Sequence, residues 1–133
     1  MTQTLTLSAA LAAIPYAGFL GAEAAGEDSG ADAVMRFSRR LIGNPLLPAL
    51  HGGSIAGFME LTAMAVLASR AAPAKPIDVS IAYLRSGKPV DVFARASVRK
   101  IGRRIAYVHV LAWQEDAASP IAEMTAHFLL AVD

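Results

Sequence analysis

A chain of 133 residues is long enough for one domain with a real core and too short for two ordinary ones. The absence of cysteine excludes disulfides, thiolate metal sites and cysteine nucleophiles, and a formal net charge of +1 argues against a nucleic-acid binder. Hydrophobic residues make up 55%, which implies apolar surface buried between subunits, yet no uninterrupted apolar run reaches the roughly 18 residues of a membrane span.

The stretch from Ser8 to Leu20 is apolar but follows no Lys or Arg, so it does not read as a secretory leader and the chain is expected to be cytoplasmic. Ser8 can cap a short helix from Ala9 to about Ile14, with Pro15 limiting its extent. Phe19 to Glu27 and Ala31 to Arg40 read as two strands of a hairpin around Asp28-Ser29-Gly30. Asn44-Pro45 and Pro48 then form a rigid loop leading to His51.

From Gly52 to Ser69 the chain is almost all Ala, Ile, Met, Val and Leu, with Glu60 the only charge before Arg70. A helix that is apolar all round is buried on every side, so this segment is the expected central helix, and its interruptions mark a core helix rather than a membrane span. A carboxylate inside such a helix is costly unless it is paired, hydrogen-bonded or shifted in pKa, and chemistry is one reason to keep it.

Pro73 and Pro76 end the helical region. Ile77, Val79, Ile81 and Tyr83 then alternate with small or polar residues, Ser86-Gly87-Lys88-Pro89 turns the chain, and Val90 to Val98 continues the period of two up to a turn at Ile101-Gly102. A third strand runs from Arg103 to Gln114 with two largely apolar faces. After a turn over Asp116 to Pro120, Ile121 to Val132 makes the last strand. This order argues for an α+β fold, an antiparallel sheet curled around the central helix. Between Arg85 and Arg104, seven basic residues stand against Asp91 alone, a block that should attract an anion.

Asn-Pro, then His51-Gly52-Gly53 opening a buried helix with an acid nine residues after the His, then a Tyr-containing strand and a Gly102-Arg103-Arg104 turn, resembles the hotdog-fold acyl-CoA thioesterases of the phenylacetate-degradation (PaaI-like) type. The resemblance covers nearly the whole chain. It implies that the Gly52 amide polarises the thioester carbonyl and that Glu60 is nucleophile or general base, Glu at this position being found in the 4-hydroxybenzoyl-CoA branch. It offers Asn44 as a group that orients water or acyl group. His51 reads as a loop-positioning residue or a hydrogen-bond donor to the site, and Gly53, like Gly52, lets a ligand approach closely. Coenzyme A is then part of the substrate, with no further cofactor, and Arg85, Lys88, Arg103 and Arg104 are candidates for holding its phosphates.

Glu60 lies eight residues past Gly52, about 12 Å along the axis at ~1.5 Å per residue, so one chain cannot easily bring both to one carbonyl. A two-fold homodimer with antiparallel central helices can, and the apolar sheet faces favour further association into a tetramer. His109 and His127 read as strand residues with satisfied rings, and no spacing suggests a metal site. Two rival functions share the fold: an acyl-thioester dehydratase or hydratase, which needs a His beside the helix acid where this chain has glycines after His51, and a non-catalytic acyl-CoA or lipid binder in which Glu60 is structural. Gly53-Ser54-Ile55-Ala56 only faintly suggests a serine nucleophile elbow, in a chain too short for that fold.

Overall fold

The computed structural model describes residues 5–131. Thr6, rather than Ser8, caps α1 (Leu7–Ala12), its hydroxyl accepting the Ala9 amide at 3.1 Å. Pro15 does not merely limit that helix but opens a second, α2 (Pro15–Leu20), since a proline at the first helical position gives up an N–H that has no helical partner anyway. Because α2 takes in Phe19, the expected first strand shortens to β1 (Ala22–Ala24). Its partner shortens likewise to β2 (Ala33–Met35), and Arg39–Leu41 forms a 3-10 turn. The hairpin itself stands where expected, with Gly30 at φ 75°.

A two-stranded ladder of β3 (Ile42–Asn44) and β4 (Ala49–Leu50) delivers the chain to α3 (Gly52–Arg70). Four long strands follow: β5 (Ala74–Tyr83), β6 (Val92–Ile101), β7 (Ile105–Trp113) and β8 (Ala122–Leu130). The antiparallel sheet runs β1-β2-β6-β7-β8-β5, and the expected α+β arrangement of a sheet around a central helix holds. Val132, expected within the last strand, lies outside the described residues. Alternate residues of β6, β7 and β8, among them Ala94, Val108, Ala112, Ala122 and Met124, are fully buried against the helix layer. Their small size lets α3 lie close to the sheet, where its largest buried side chains include Phe58, Met59 and Leu67.

Two features depart from the expected burial. The central helix is not enclosed on every side: Gly57, Glu60, Met64 and Ala68, spaced three or four apart, form with Ala56 a stripe that is only half-buried. By length and composition this 19-residue helix could cross a membrane, but 56% of its most apolar 18-residue window is buried within the domain, as in a core helix. The second departure is β5, which ends the sheet and pairs only with β8. A bulge between Pro76 and Asp78 takes Ile77 out of step with Val79, Ile81 and Tyr83, which pair with Ala126, Met124 and Ala122 and so share the helix-facing side. Even there Val79 is 38% and Tyr83 53% exposed, because β5 has no strand beside its outer edge among the described residues. One helical stripe and one strand of apolar surface therefore lie uncovered.

Candidate active site

Two backbone bonds fix the chain on its way into α3. The Leu50 amide donates to the Gly87 carbonyl at 3.0 Å, and the His51 amide to that of Leu41 at 2.8 Å. His51 then caps the helix. Its Nδ1 accepts the Gly53 amide at 2.8 Å, and its carbonyl accepts from the Ser54 amide at 3.0 Å, the Ile55 amide at 3.4 Å and the Ser54 hydroxyl at 2.7 Å. Of the four amides in the first turn, that of Gly52 alone has no partner among the described residues. It sits on a cavity of about 350 Å³ lined by Leu50, Gly52, Ile55, Tyr83, Arg85 and Gly87.

Because Nδ1 of His51 is an acceptor, the neutral ring carries its proton on Nε2 and has no free lone pair with which to act as a base. This agrees with the loop-positioning reading. Gly53 has to be small for the same reason, since a Cβ there would fall 2.8 Å from His51 Nδ1. Its amide is consumed by the cap, which leaves only the Gly52 amide to meet a ligand.

Glu60 stands in the middle of the half-buried stripe of α3, about two turns beyond Gly52. It makes no hydrogen bond or ion pair among the described residues, so the bland expectation of a structural carboxylate tied to an Arg or an amide is not met. A half-buried acid with free lone pairs can take a proton from water or attack an electrophile.

The other candidate residues do not gather here. The Asn44 side-chain oxygen accepts the Leu46 and Leu47 amides at 3.0 and 3.3 Å, holding the Pro45–Pro48 loop in an Asx turn. The basic block divides in two. Arg85 and Lys88 line a cavity of about 410 Å³ shared with Glu115 and Asp116, near the Tyr83 end of β5. Lys100, Arg103 and Arg104 line a larger one of about 660 Å³ with Tyr107 and His127. That second cavity lies at the other end of the strands, roughly 30 Å away along β5 at ~3.3 Å per residue.

Both strand histidines have partners, as expected: His109 Nε2 lies 2.6 Å from Glu123, and His127 Nδ1 lies 2.8 Å from Asp78. The hydrogen bond from His127 holds the Asp78 carboxyl below its ordinary value. Two contributors were not singled out by sequence reasoning. Tyr83, read as the last residue of an alternating strand and as the tyrosine of the resemblance but given no role, donates its hydroxyl to the Gly52 carbonyl at 2.9 Å. Gly43 carried no signal beyond standing in a turn-rich stretch, yet it packs directly against His51.

An antiparallel sheet curled around one long helix defines a hotdog-fold protein, and the helix-start amide and the acid two turns along, both unpartnered among the described residues, make up its candidate site. The chain belongs to the acyl-CoA thioesterase N-terminal domain family, whose profile matches residues 44–129, and it is a thioesterase. A solved structure from Chromobacterium violaceum is 38% identical, with 91% of this chain and 86% of that one covered and a TM-score of 0.69. A thioesterase family protein from Silicibacter pomeroyi shares 20% identity over 96% of both chains at a TM-score of 0.81. The PaaI protein of the Escherichia coli phenylacetic acid degradation operon shares 19% over 85% of this chain and 86% of its own, at 0.73. The resemblance to the PaaI type thus holds in fold. No curated protein matches the sequence.

Proposed function

We propose that the protein hydrolyses the thioester of a small or medium acyl-CoA, aromatic acyl groups included, at a site shared between two copies of the chain. The observation that carries this reading is the pairing of one free helix-start amide, at Gly52, with one unpartnered acid, at Glu60. The thioester oxygen accepts the Gly52 N–H, which with the positive end of the α3 dipole stabilises the charge that develops there. Glu60 either draws a proton from the attacking water or attacks the carbonyl itself, giving an anhydride that water then opens; in both routes the thiol of coenzyme A leaves with a proton.

Because ~12 Å separates the two groups along one helix, the acid acting with Gly52 comes from a second chain whose α3 runs antiparallel. The uncovered stripe of α3 and the open edge of β5 are the apolar surface available to that copy. Arg85, at the Gly52 cavity, and Lys88 beside it are candidates for the phosphates of coenzyme A. So are Arg103 and Arg104, which antiparallel pairing across β5 brings from the second chain toward the same end. Asn44 and His51 shape the loop that leads to Gly52. Association into a tetramer and a cytoplasmic location belong to the same reading.

The test uses two variants. Gly52→Pro deletes the amide at a position whose backbone accepts a proline, His51 being already extended at φ −64° and ψ 129°, and the new Cβ, 3.2 Å from Cζ of Tyr83, requires that exposed ring to give by a few tenths of an ångström. Glu60→Gln deletes the acid. Each alone should release no thiol from a panel of acyl-CoA thioesters, whereas mixed dimers should regain up to about half the activity, one of the two sites being intact. No recovery in any mixed dimer sinks the shared site. Hydrolysis by Glu60→Gln at the wild-type rate would remove the acid from the mechanism, acyl-CoA binding by the wild-type chain without any thiol release would favour the binder, and loss of enoyl absorbance without thiol release the dehydratase.

A further inference from the structure

We infer that Tyr83 is a positioning residue for the Gly52 amide, acting by clamping the neighbouring peptide; this rests on the reading of Gly52 as the donor to the thioester. Gly52 joins two peptide planes. One carries the Gly52 N–H and the His51 carbonyl, and that carbonyl is anchored by the Ser54 amide and hydroxyl at 3.0 and 2.7 Å. The other carries the Gly52 carbonyl and the Gly53 N–H. Tyr83 holds its oxygen at 2.9 Å and His51 Nδ1 its N–H at 2.8 Å.

A planar peptide gripped at both ends has little freedom to rock. The pivot between the two planes is a glycine, the residue least able to hold its own φ and ψ, so the aim of the free N–H depends on these grips. Among the described residues, Tyr83 supplies the only one that comes from outside the helix and its entry loop. Its ring also closes over the Cα of Gly52, where a Cβ would lie 3.2 Å from Cζ. The chain of bonds from the Tyr83 hydroxyl through the peptide to His51 is one in which each link polarises the next. Tyr83 touches no reacting atom in this scheme. It sets the direction of the group that does.

The experiment compares the wild-type chain with Tyr83→Phe, which keeps the ring and removes the hydroxyl. The expected result is a fall in kcat of about five- to tenfold with KM unchanged and the thermal midpoint lowered by no more than the loss of one hydrogen bond. In parallel, the carbonyl stretch of a bound ketone analogue of an acyl-CoA, in which CH2 replaces sulfur, should lie at higher frequency in the variant because the amide is less well aimed. Wild-type kcat and an unshifted carbonyl stretch overturn the inference, as does a change confined to KM or thermal midpoint. Should the wild-type chain cleave no acyl-CoA, the hydrolase reading fails first, and the infrared comparison still decides whether Tyr83 aims the amide.

Discussion

Gly43 lies so close to His51 that a Cβ on it would come within 2.7 Å of the His51 Cα and Cβ. The contact is between backbones of β3 and the helix entry, so neither side can swing away cheaply. Gly43→Ala is expected to lower stability by about 1–3 kcal/mol, the usual result of overpacking, and to lower the rate of thiol release because the helix cap is displaced. Urea denaturation and a thiol assay on the same preparation check both halves.

His51 is predicted to matter as a cap and not as a base. His51→Ala should cost about 1 kcal/mol through the lost bond to the Gly53 amide, and His51→Asn, whose side-chain oxygen can accept that amide, should restore most of it together with activity. An Asn variant that is stable but inactive would give the imidazole a chemical part.

Loss of Glu60 should separate activity from stability. With no partner in the described structure and a half-buried position, its replacement by Gln leaves no orphaned group behind, so the denaturation midpoint should stay within about 0.5 kcal/mol of wild type. Thiol release should fall by about a hundredfold or more, the range for removing a general base.

At Gly57 two effects compete. Alanine is favoured over glycine inside a helix by about 1 kcal/mol, but its Cβ would come 3.0 Å from Cε2 of Tyr16. Tyr16 is half-exposed and stacked on the exposed Phe19 at 5.7 Å, so its ring can give way. Gly57→Ala is therefore expected to raise the thermal midpoint slightly, and a lower midpoint would mean that α2 is locked against α3.

The His127–Asp78 pair ties β8 to the edge strand, and it predicts a pH dependence of known sign. Asp78 titrates below its ordinary 3.8 in the folded chain because of the hydrogen bond from His127. A lowered carboxyl adds stability that is complete above the unfolded value and disappears as pH falls through the folded one. Asp78→Asn should therefore be less stable than wild type near pH 5, and the gap should close below about pH 3.8. Denaturation midpoints across that range decide it. The effect should be small, since the pair is exposed and open to screening by salt.

Much of this fold was legible because its signals are local. The alternation of Ala94 and Ala96, of Val108 and Val110, and of Met124 and Phe128 places each strand and its inner face without reference to any partner. The His-Gly-Gly start and the acid nine residues later located the helix and both groups of the proposed site. The shortened hairpin was missed because the apolar run at Phe19 serves a helix as readily as a strand, and Pro15 was read as a stop where it is a start.

The sequence alone determined the long central helix, the four strands after it and their order, since periodicity, caps and breakers act over a few residues, and its resemblance to a family pointed to the two groups proposed to carry the chemistry. Only the tertiary structure decided which surfaces stay open: the bulge at Ile77, the solitary pairing of β5 and the half-buried stripe around Glu60 all depend on contacts far apart in the chain. It also brought Tyr83 onto Gly52 across 31 positions and separated Arg85 from Arg103, which the sequence had placed in one basic block. The reason is the same in each case: a strand's register and a side chain's neighbours are set by distant partners, and no local pattern encodes them.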